Sequence, residues 1–448
     1  MQGKITRRSF AKAGAAATLG LMAAQAVPAY AARPLGANDR IRLGFIGVAN
    51  RGGQLLDAFL THKDIEVVAL CDVNSTTLGK ANDKFAGGKA ETFGDFRKIV
   101  DHQGIDAVVI ATPDHWHAIQ SVDACDAGKD VYVEKPLSVT VHEGRRMVEA
   151  ARRNQRVVQV GTHRRSSPLY TRLVEMVEGG QLGKVTVSRA YRLANMHPAG
   201  IGHVKPSDPP PDLDWNMWLG PRPERPYQAN IAPYRFRWWH LYSSQMANWG
   251  VHYLDAIRWM TGELAPRSIC AMGGKFAVDD DRTIPDTLEV TYQFDSGRLA
   301  IFGQYEASSN PILKTGEIEL RGTRGTLYCD EGSFEVIPER ASRAFPAAIA
   351  DFKPSGPLME PMQGTDKGGN DNLTALHARN FLDCMRSREK PNADIEIGHR
   401  STTFSHLANI SLATAMRLEW DAEQEKFTNS DEANGLLHYE YRKPWKLG

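Results

Sequence analysis

"IRLGFIGVANRGG", Ile41 to Gly53, joins an apolar run, interrupted at Arg42, to a glycine-rich turn, and its reading decides the fold. Such a run suits a strand buried on both faces. The turn spaces Gly47, Ala49 and Gly52 as G-x-A-x-x-G. A dinucleotide fingerprint has glycine at all three places: for the tight turn, for close backbone approach to a pyrophosphate, and for packing the next helix on the strand. Ala49 departs at the middle position. Asp72 closes the second apolar run, 25 residues after Gly47. Its carboxylate is placed to accept hydrogen bonds from an adenosine ribose and to repel a 2′-phosphate, which favours NAD over NADP. Arg51 keeps NADP open, since it can reach a phosphate. Gly47, Ala49, Asn50, Arg51, Gly52 and Asp72 are the cofactor-binding candidates of this region. The competing reading is a Rossmann-like sheet that holds no cofactor.

The same rhythm continues outward. Residues 41–48, 65–73, 105–113, 129–135 and 156–161 read as short buried strands, with helical stretches at 53–61, 75–85, 116–127 and 140–153. Alternation of this kind implies a parallel, doubly wound sheet. Beyond Ser166 the pattern changes to long alternating segments at 184–193, 286–307 and 316–338, the second turning at Ser296-Gly297. These are hairpins with one face exposed. A proline- and tryptophan-rich loop spans 206–227, and helices are expected within 371–418. The predicted fold class is α/β: an N-terminal Rossmann doubly wound parallel sheet over 32–165, and a C-terminal α+β domain with a large open mixed or antiparallel sheet over 166–448.

The chain of 448 residues is too long for one ordinary core, and 42% apolar with 24% charged residues is ordinary for a globular enzyme. A net charge of +1 gives no basic field for nucleic acid or anionic membrane. The five cysteines are scattered, with no CxxC pair, and make neither a zinc site nor a disulfide framework. "TRRSFAKAG" at the N-terminus sets Arg7 and Arg8 before a mildly apolar run that ends in "AYA" at Ala29–Ala31. This is the layout of a cleavable twin-arginine export signal over 1–31, cut near Ala31. A retained membrane anchor is the alternative, but the run is short and rich in glycine and alanine. The expected location is periplasmic or secreted, with the twin-arginine machinery as an export partner and no stable membrane insertion after cleavage.

Three more stretches carry a resemblance: "ATPDHWHA" (111–118), "VEKPLS" (133–138) and "NWGVHYLD" (248–255). With the glycine loop and the tail "NFLDCMRSREKPNADIEIGHRS", they make almost the whole mature chain similar to the Gfo/Idh/MocA oxidoreductase family. The resemblance implies a sugar or polyol substrate that exchanges hydride with a nicotinamide. It places the family lysine on Lys135, at the carboxyl end of a strand, to hydrogen-bond the reacting oxygen. It places the family proton acceptor on His252. Many relatives carry an aspartate four residues before that histidine. Here Asn248 stands there, expected one helical turn away and able to bond a hydroxyl or orient His252. Asp255 is expected to cap or orient rather than act as a base. Thr112, Pro113, His115, His117, Glu134 and Lys135 extend the cofactor candidates, the two histidines lining the nicotinamide and ribose pocket. His115 and His117 as a metal pair lack an evident third ligand, and no metal is expected. Sugar contacts are expected from His163, Arg164, Tyr191, Arg237, Trp238, Asn248 and His252, with Trp239 and His240 beside them, though such tryptophans are as often packing.

Outside the cytoplasm no free NAD pool is available, so the cofactor is expected to stay tightly bound and be recycled in each cycle. Two redox-neutral routes fit: coupled oxidation and reduction of two sugars, or glycoside cleavage by transient oxidation, elimination, hydration and re-reduction. The second needs a base for the alpha proton, with Tyr191, Tyr242 or His252 as candidates. A sugar-binding relative without catalysis is the third reading. The open sheet is expected to pair in a homo-oligomer, a dimer or tetramer.

Overall fold

The structure, a computed structural model, describes residues 39–340, 356–365 and 372–448. The export signal read over 1–31 lies outside the described residues.

Largely apolar runs become the strands of the first sheet. β1 (Ile41–Ile46) leads to α1 (Asn50–Phe59), and β2 (Ile65–Cys71) to α2 (Ser75–Ala86). β3 (Glu91–Phe93), α3 (Arg97–Asp101), β4 (Ala107–Ile110) and α4 (His117–Asp126) follow, then β5 (Asp130–Val133), α5 (Val141–Arg153) and β6 (Val158–Val160). The order β3-β2-β1-β4-β5-β6 is parallel throughout and reverses direction beside β1, so a crevice opens above the carboxyl ends of β1 and β4. Local chemistry sets the helix starts. Asn74 caps α2 by accepting from the Thr77 N–H, and Thr140 with Glu143 forms a capping box on α5. β3 was not among the expected strands: it is three residues long, largely exposed, and lacks an apolar run.

The second half begins with α6 (Pro168–Glu178), β7 (Val185–Asn195) and α7 (Trp215–Leu219). A π-helical turn, Met246–Gly250, runs straight into α8 (Val251–Thr261). Then come β8 (Ser268–Gly274), β9 (Thr287–Gln293), β10 (Leu299–Tyr305), β11 (Ala307–Ser308), β12 (Ile318–Gly322), β13 (Gly325–Cys329), β14 (Ser333–Pro338) and β15 (Met362–Thr365). α9 (Leu373–Ser387), α10 (Ile395–Thr414), β16 (Leu418–Asp421) and β17 (Lys426–Phe427) complete it. Among the described residues these strands form one large sheet, β15-β14-β13-β12-β7-β10-β9-β8-β16-β17, with β11 paired to β7. It is mixed: β7 and β10 run parallel and the other pairs antiparallel. β9 alternates buried and half-buried residues, as a strand with one packed face should. α6, α8 and α10 supply the apolar residues that cover this face. Among the described residues no helix is long and apolar enough to cross a membrane.

The tryptophan-rich loop and the C-terminal stretch interlock. Trp215 and Trp218 stack at 4.7 Å, and the Trp445 ring meets Trp116 edge-on at 4.7 Å. Arg442 donates to the carbonyls of Gly220 and Asn216, and the Tyr441 hydroxyl to Glu143. This stretch backs the wall of the crevice from outside.

Candidate active site

One cleft runs from the β1–α1 turn to the start of α8, and its floor is the carboxyl edge of the parallel sheet. At its near end the turn is shaped for close approach. Gly47 has φ of +82°, and a Cβ there would lie 2.8 Å from the Ala111 carbonyl and the Thr112 nitrogen. A Cβ on Gly52 would lie 2.0 Å from the Gly47 oxygen, so α1 packs on the turn only with glycine there. Ala49 has φ of −71° and needs no glycine on conformational grounds. It is the N-cap of α1 but offers no capping side chain, and the first turn carries no acidic residue. The free N–H groups of that turn suit an anionic diphosphate. Asp72 lines the cleft and is already anchored, accepting from Val48 N–H at 3.0 Å and Asn74 N–H at 2.9 Å. Each oxygen keeps acceptor capacity for a ribose diol. Arg51 turns away from this end: its Nε donates to Glu134 at 2.8 Å and its Nη1 to Gln54. These residues fit a nicotinamide dinucleotide.

At the far end, β5 delivers Glu134 and Lys135, and the Lys135–Pro136 peptide is cis. Burial works to raise Glu134, but Arg51 and then Lys135 outweigh it and hold its carboxyl below the usual range. The Lys135 ammonium donates to both oxygens of Asn248, the carbonyl at 2.7 Å and Oδ1 at 3.0 Å. Burial lowers Lys135 to about 8. Asn248 sits in the π-helical turn, a geometry common at functional sites. Its Nδ2 donates to Gln245, and its Oδ1 also accepts from Arg237 Nε at 3.3 Å. Asn248 therefore positions Lys135; no hydrogen bond links it to His252 among the described residues, so the expectation that it orients the histidine is corrected.

His252 faces the same cleft with Nδ1 lacking any partner. Burial, followed by the nearby Lys135 charge, drives its pKa well below the usual value, so the imidazole is neutral. The His163 ring lies 5.4 Å from it, and His163 Nε2 is 3.4 Å from Glu331. His163 and Arg164 hold the Glu331 carboxyl at about 2. Asp255 is turned to the core, in a buried pair with Arg165 at 2.8 Å and accepting from Ser401 at 2.5 Å. Through Arg165 it anchors the segment that carries His163 and Arg164.

Thr112, Pro113, Asn50, Arg164 and Arg237 line the cleft. Several expected residues do not. His115 is buried behind the wall with Nε2 at 2.9 Å from the Trp218 carbonyl. His117 clamps two backbone segments, through Nδ1 to Pro136 O at 2.7 Å and Nε2 to Thr112 O at 2.9 Å. Both rings shape the pocket from behind rather than line it. Tyr191 lies on β7 beside Tyr305, and Trp238 donates to Glu306, both away from the cleft lining. Trp239 is buried against Asn230, and His240 is exposed. Tyr242 is fully buried, so of the three candidate bases only His252 reaches the cleft. Sequence reasoning passed over Asp114, Trp249, Glu331 and Thr374, which all line it. Asp114 stood inside the quoted "ATPDHWHA", and a carboxylate between Pro113 and His115 at a strand's carboxyl end was the available signal. Glu331, in the turn between β13 and β14, and Thr374, in the first turn of α9, are distant in sequence and left no local signal.

Residues 41–162 match the family profile described as "Oxidoreductase family, NAD-binding Rossmann fold". Residues 170–331 and 372–447 match its partner, "Oxidoreductase family, C-terminal alpha/beta domain". A glycosyl hydrolase family 109 protein of Shewanella baltica is 33% identical over 174 residues, covering 34% of this chain and 38% of that protein. An inositol 2-dehydrogenase of Salmonella typhimurium is 32% identical over 146 residues, covering 32% of this chain and 43% of the relative. Each match spans under half of the relative's own length. A levoglucosan dehydrogenase structure in complex with NADH and levoglucosan superposes with a TM-score of 0.63 at 17% identity, over 85% of this chain and 99% of that one.

Proposed function

The chain belongs to the Gfo/Idh/MocA oxidoreductase family, and on that premise we propose that it is an exported enzyme acting on a secondary hydroxyl of a sugar or polyol, with NAD rather than NADP held tightly. The observation that carries this reading is Lys135, an ammonium poised on Asn248 in the same cleft as the neutral, unpartnered His252. Bound along the glycine turn and Asp72, a nicotinamide supplies hydride exchange. The chain's own residues do the rest. Lys135 donates a hydrogen bond to the reacting oxygen and stabilises its developing negative charge. His252, neutral and lining the cleft, takes the hydroxyl proton on its imidazole. Asp72 favours a free ribose diol, and the commitment of Arg51 to Glu134 removes the cation that a 2′-phosphate would need.

The glycosyl hydrolase family 109 similarity supports a second reading: cleavage of a glycoside after transient oxidation of a sugar carbon, with His252 removing the acidified neighbouring proton. The test starts from purified protein. Nicotinamide absorbance and fluorescence are expected in the supernatant after denaturation. A sugar or polyol panel is then expected to change the signal of the bound nicotinamide. Release of phenol from an aryl glycoside without added NAD would instead select the glycosidase. Protein that neither carries nor binds nicotinamide overturns both and leaves the non-catalytic relative. Export is tested by replacing Arg7 and Arg8 with lysine, which should retain the uncleaved chain in the cytoplasm. Pairing of the open sheet into a dimer or tetramer is read from light scattering.

A further inference from the structure

We propose that the substrate carries a carboxylate, making it a sugar acid rather than a neutral sugar, and that Arg237 receives that group. This rests on the carbohydrate reading of the cleft and names the class within it. Arg237 lines the cleft, but its protein partners are uncharged: Nε donates to Asn248 Oδ1 at 3.3 Å and Nη1 to the Tyr234 carbonyl at 2.9 Å. Its guanidinium lies over the rings of Tyr234 and Phe236, 4.1 and 4.6 Å from their centroids. Aromatic cover on the face leaves the edge as the binding surface, and that edge is a fork matched to a carboxylate.

The carboxylates of this end are otherwise engaged. Glu134 pairs with Arg51, Glu331 and Glu317 with Arg164, and Asp114 accepts from Ser243. Among the described residues none pairs with Arg237. Arg192, outside the cleft lining, stacks 3.8 Å from the centroid of Trp249, a ring that lines the cleft. Arg237 thus stands in the cleft beside Lys135 without a carboxylate at ion-pair distance among the described residues, and a carboxylate on the substrate would supply one. The dinucleotide's own diphosphate is the rival claimant. Its place, however, is the uncapped first turn of α1, whereas Arg237 shares Asn248 with Lys135 at the reacting end.

The experiment uses the full chain with its bound nicotinamide and matched pairs of methyl glycosides and methyl uronides in the gluco, galacto and manno series. In at least one pair the uronide is expected to show a kcat/KM about 10- to 100-fold above its neutral partner. Arg237→Gln should bring that ratio close to one while the nicotinamide content stays within about twofold. The wild-type ratio stands even if the variant does not fold. Neutral sugars turned over as well as their uronides would overturn the inference and leave the carbohydrate reading intact. Loss of nicotinamide in Arg237→Gln would also overturn it, by assigning the residue to the cofactor. If no sugar of either kind moves the nicotinamide signal, the carbohydrate reading fails, and the inference with it.

Discussion

In the proposed reaction Lys135 and His252 divide one task by charge. Burial depresses both, so at neutral pH the lysine keeps its proton and the histidine has none to give. An acid that loses its proton at about 8 stabilises negative charge only below that pH, so kcat/KM should fall above about pH 8. The acidic limb should lie below the ordinary histidine value, because His252 resists protonation. A pH–rate profile reads both limbs, and a rate still rising through about pH 9 would make Lys135 the base. Asn248→Asp would set a carboxylate on the ammonium, favour its charged form and move the alkaline limb upward. Lys135→Ala and His252→Ala should each lower turnover about a hundredfold or more in steady-state assays.

Among the elements, α8 binds more than it displays. Its Asp255 meets Arg165 on one side and Ser401 of α10 on the other, all buried, so the helix ties the His163–Arg164 segment to the second half of the molecule. Asp255→Ala strands a buried guanidinium and should cost about 3–5 kcal/mol, seen as a lower unfolding midpoint. Turnover should fall as well, although Asp255 never reaches the cleft. The elements also show what was legible in the chain. Buried parallel strands such as β1 and β4 are largely apolar runs, and their place was legible in that pattern. β3 has no such run, and the π-helical turn at Asn248 leaves no mark in residue spacing. Of the site, Asp72 and the glycines were legible from a strand end and a turn, whereas Lys135 and His252, the latter in the first turn of α8, were reached through the family resemblance. His115, His117 and Trp238 were not, because a short turn lets a side chain point either into the cleft or behind it, and tertiary packing decides.

In the whole molecule several histidines are folded away neutral. Burial lowers His115 to about 3, His377 to about 4 and His406 to about 3. The unfolded chain takes up protons on these residues near the ordinary value of about 6.5, whereas the folded chain does so only far below it. Stability they confer is therefore complete above about pH 6.5 and is lost progressively as pH falls toward 4 and 3. Thermal melts should show Tm lower by about 5 °C at pH 5 than at pH 7. The interlock of Trp445 with Trp116 and Phe96 has another consequence, one of timing. Trp116 and Phe96 line the cleft near its first-made strands, yet their backing is supplied by residue 445. A ribosome must pass that codon before the wall is complete. The parallel sheet can form early in synthesis, but the walled pocket exists only once Trp445 has been translated.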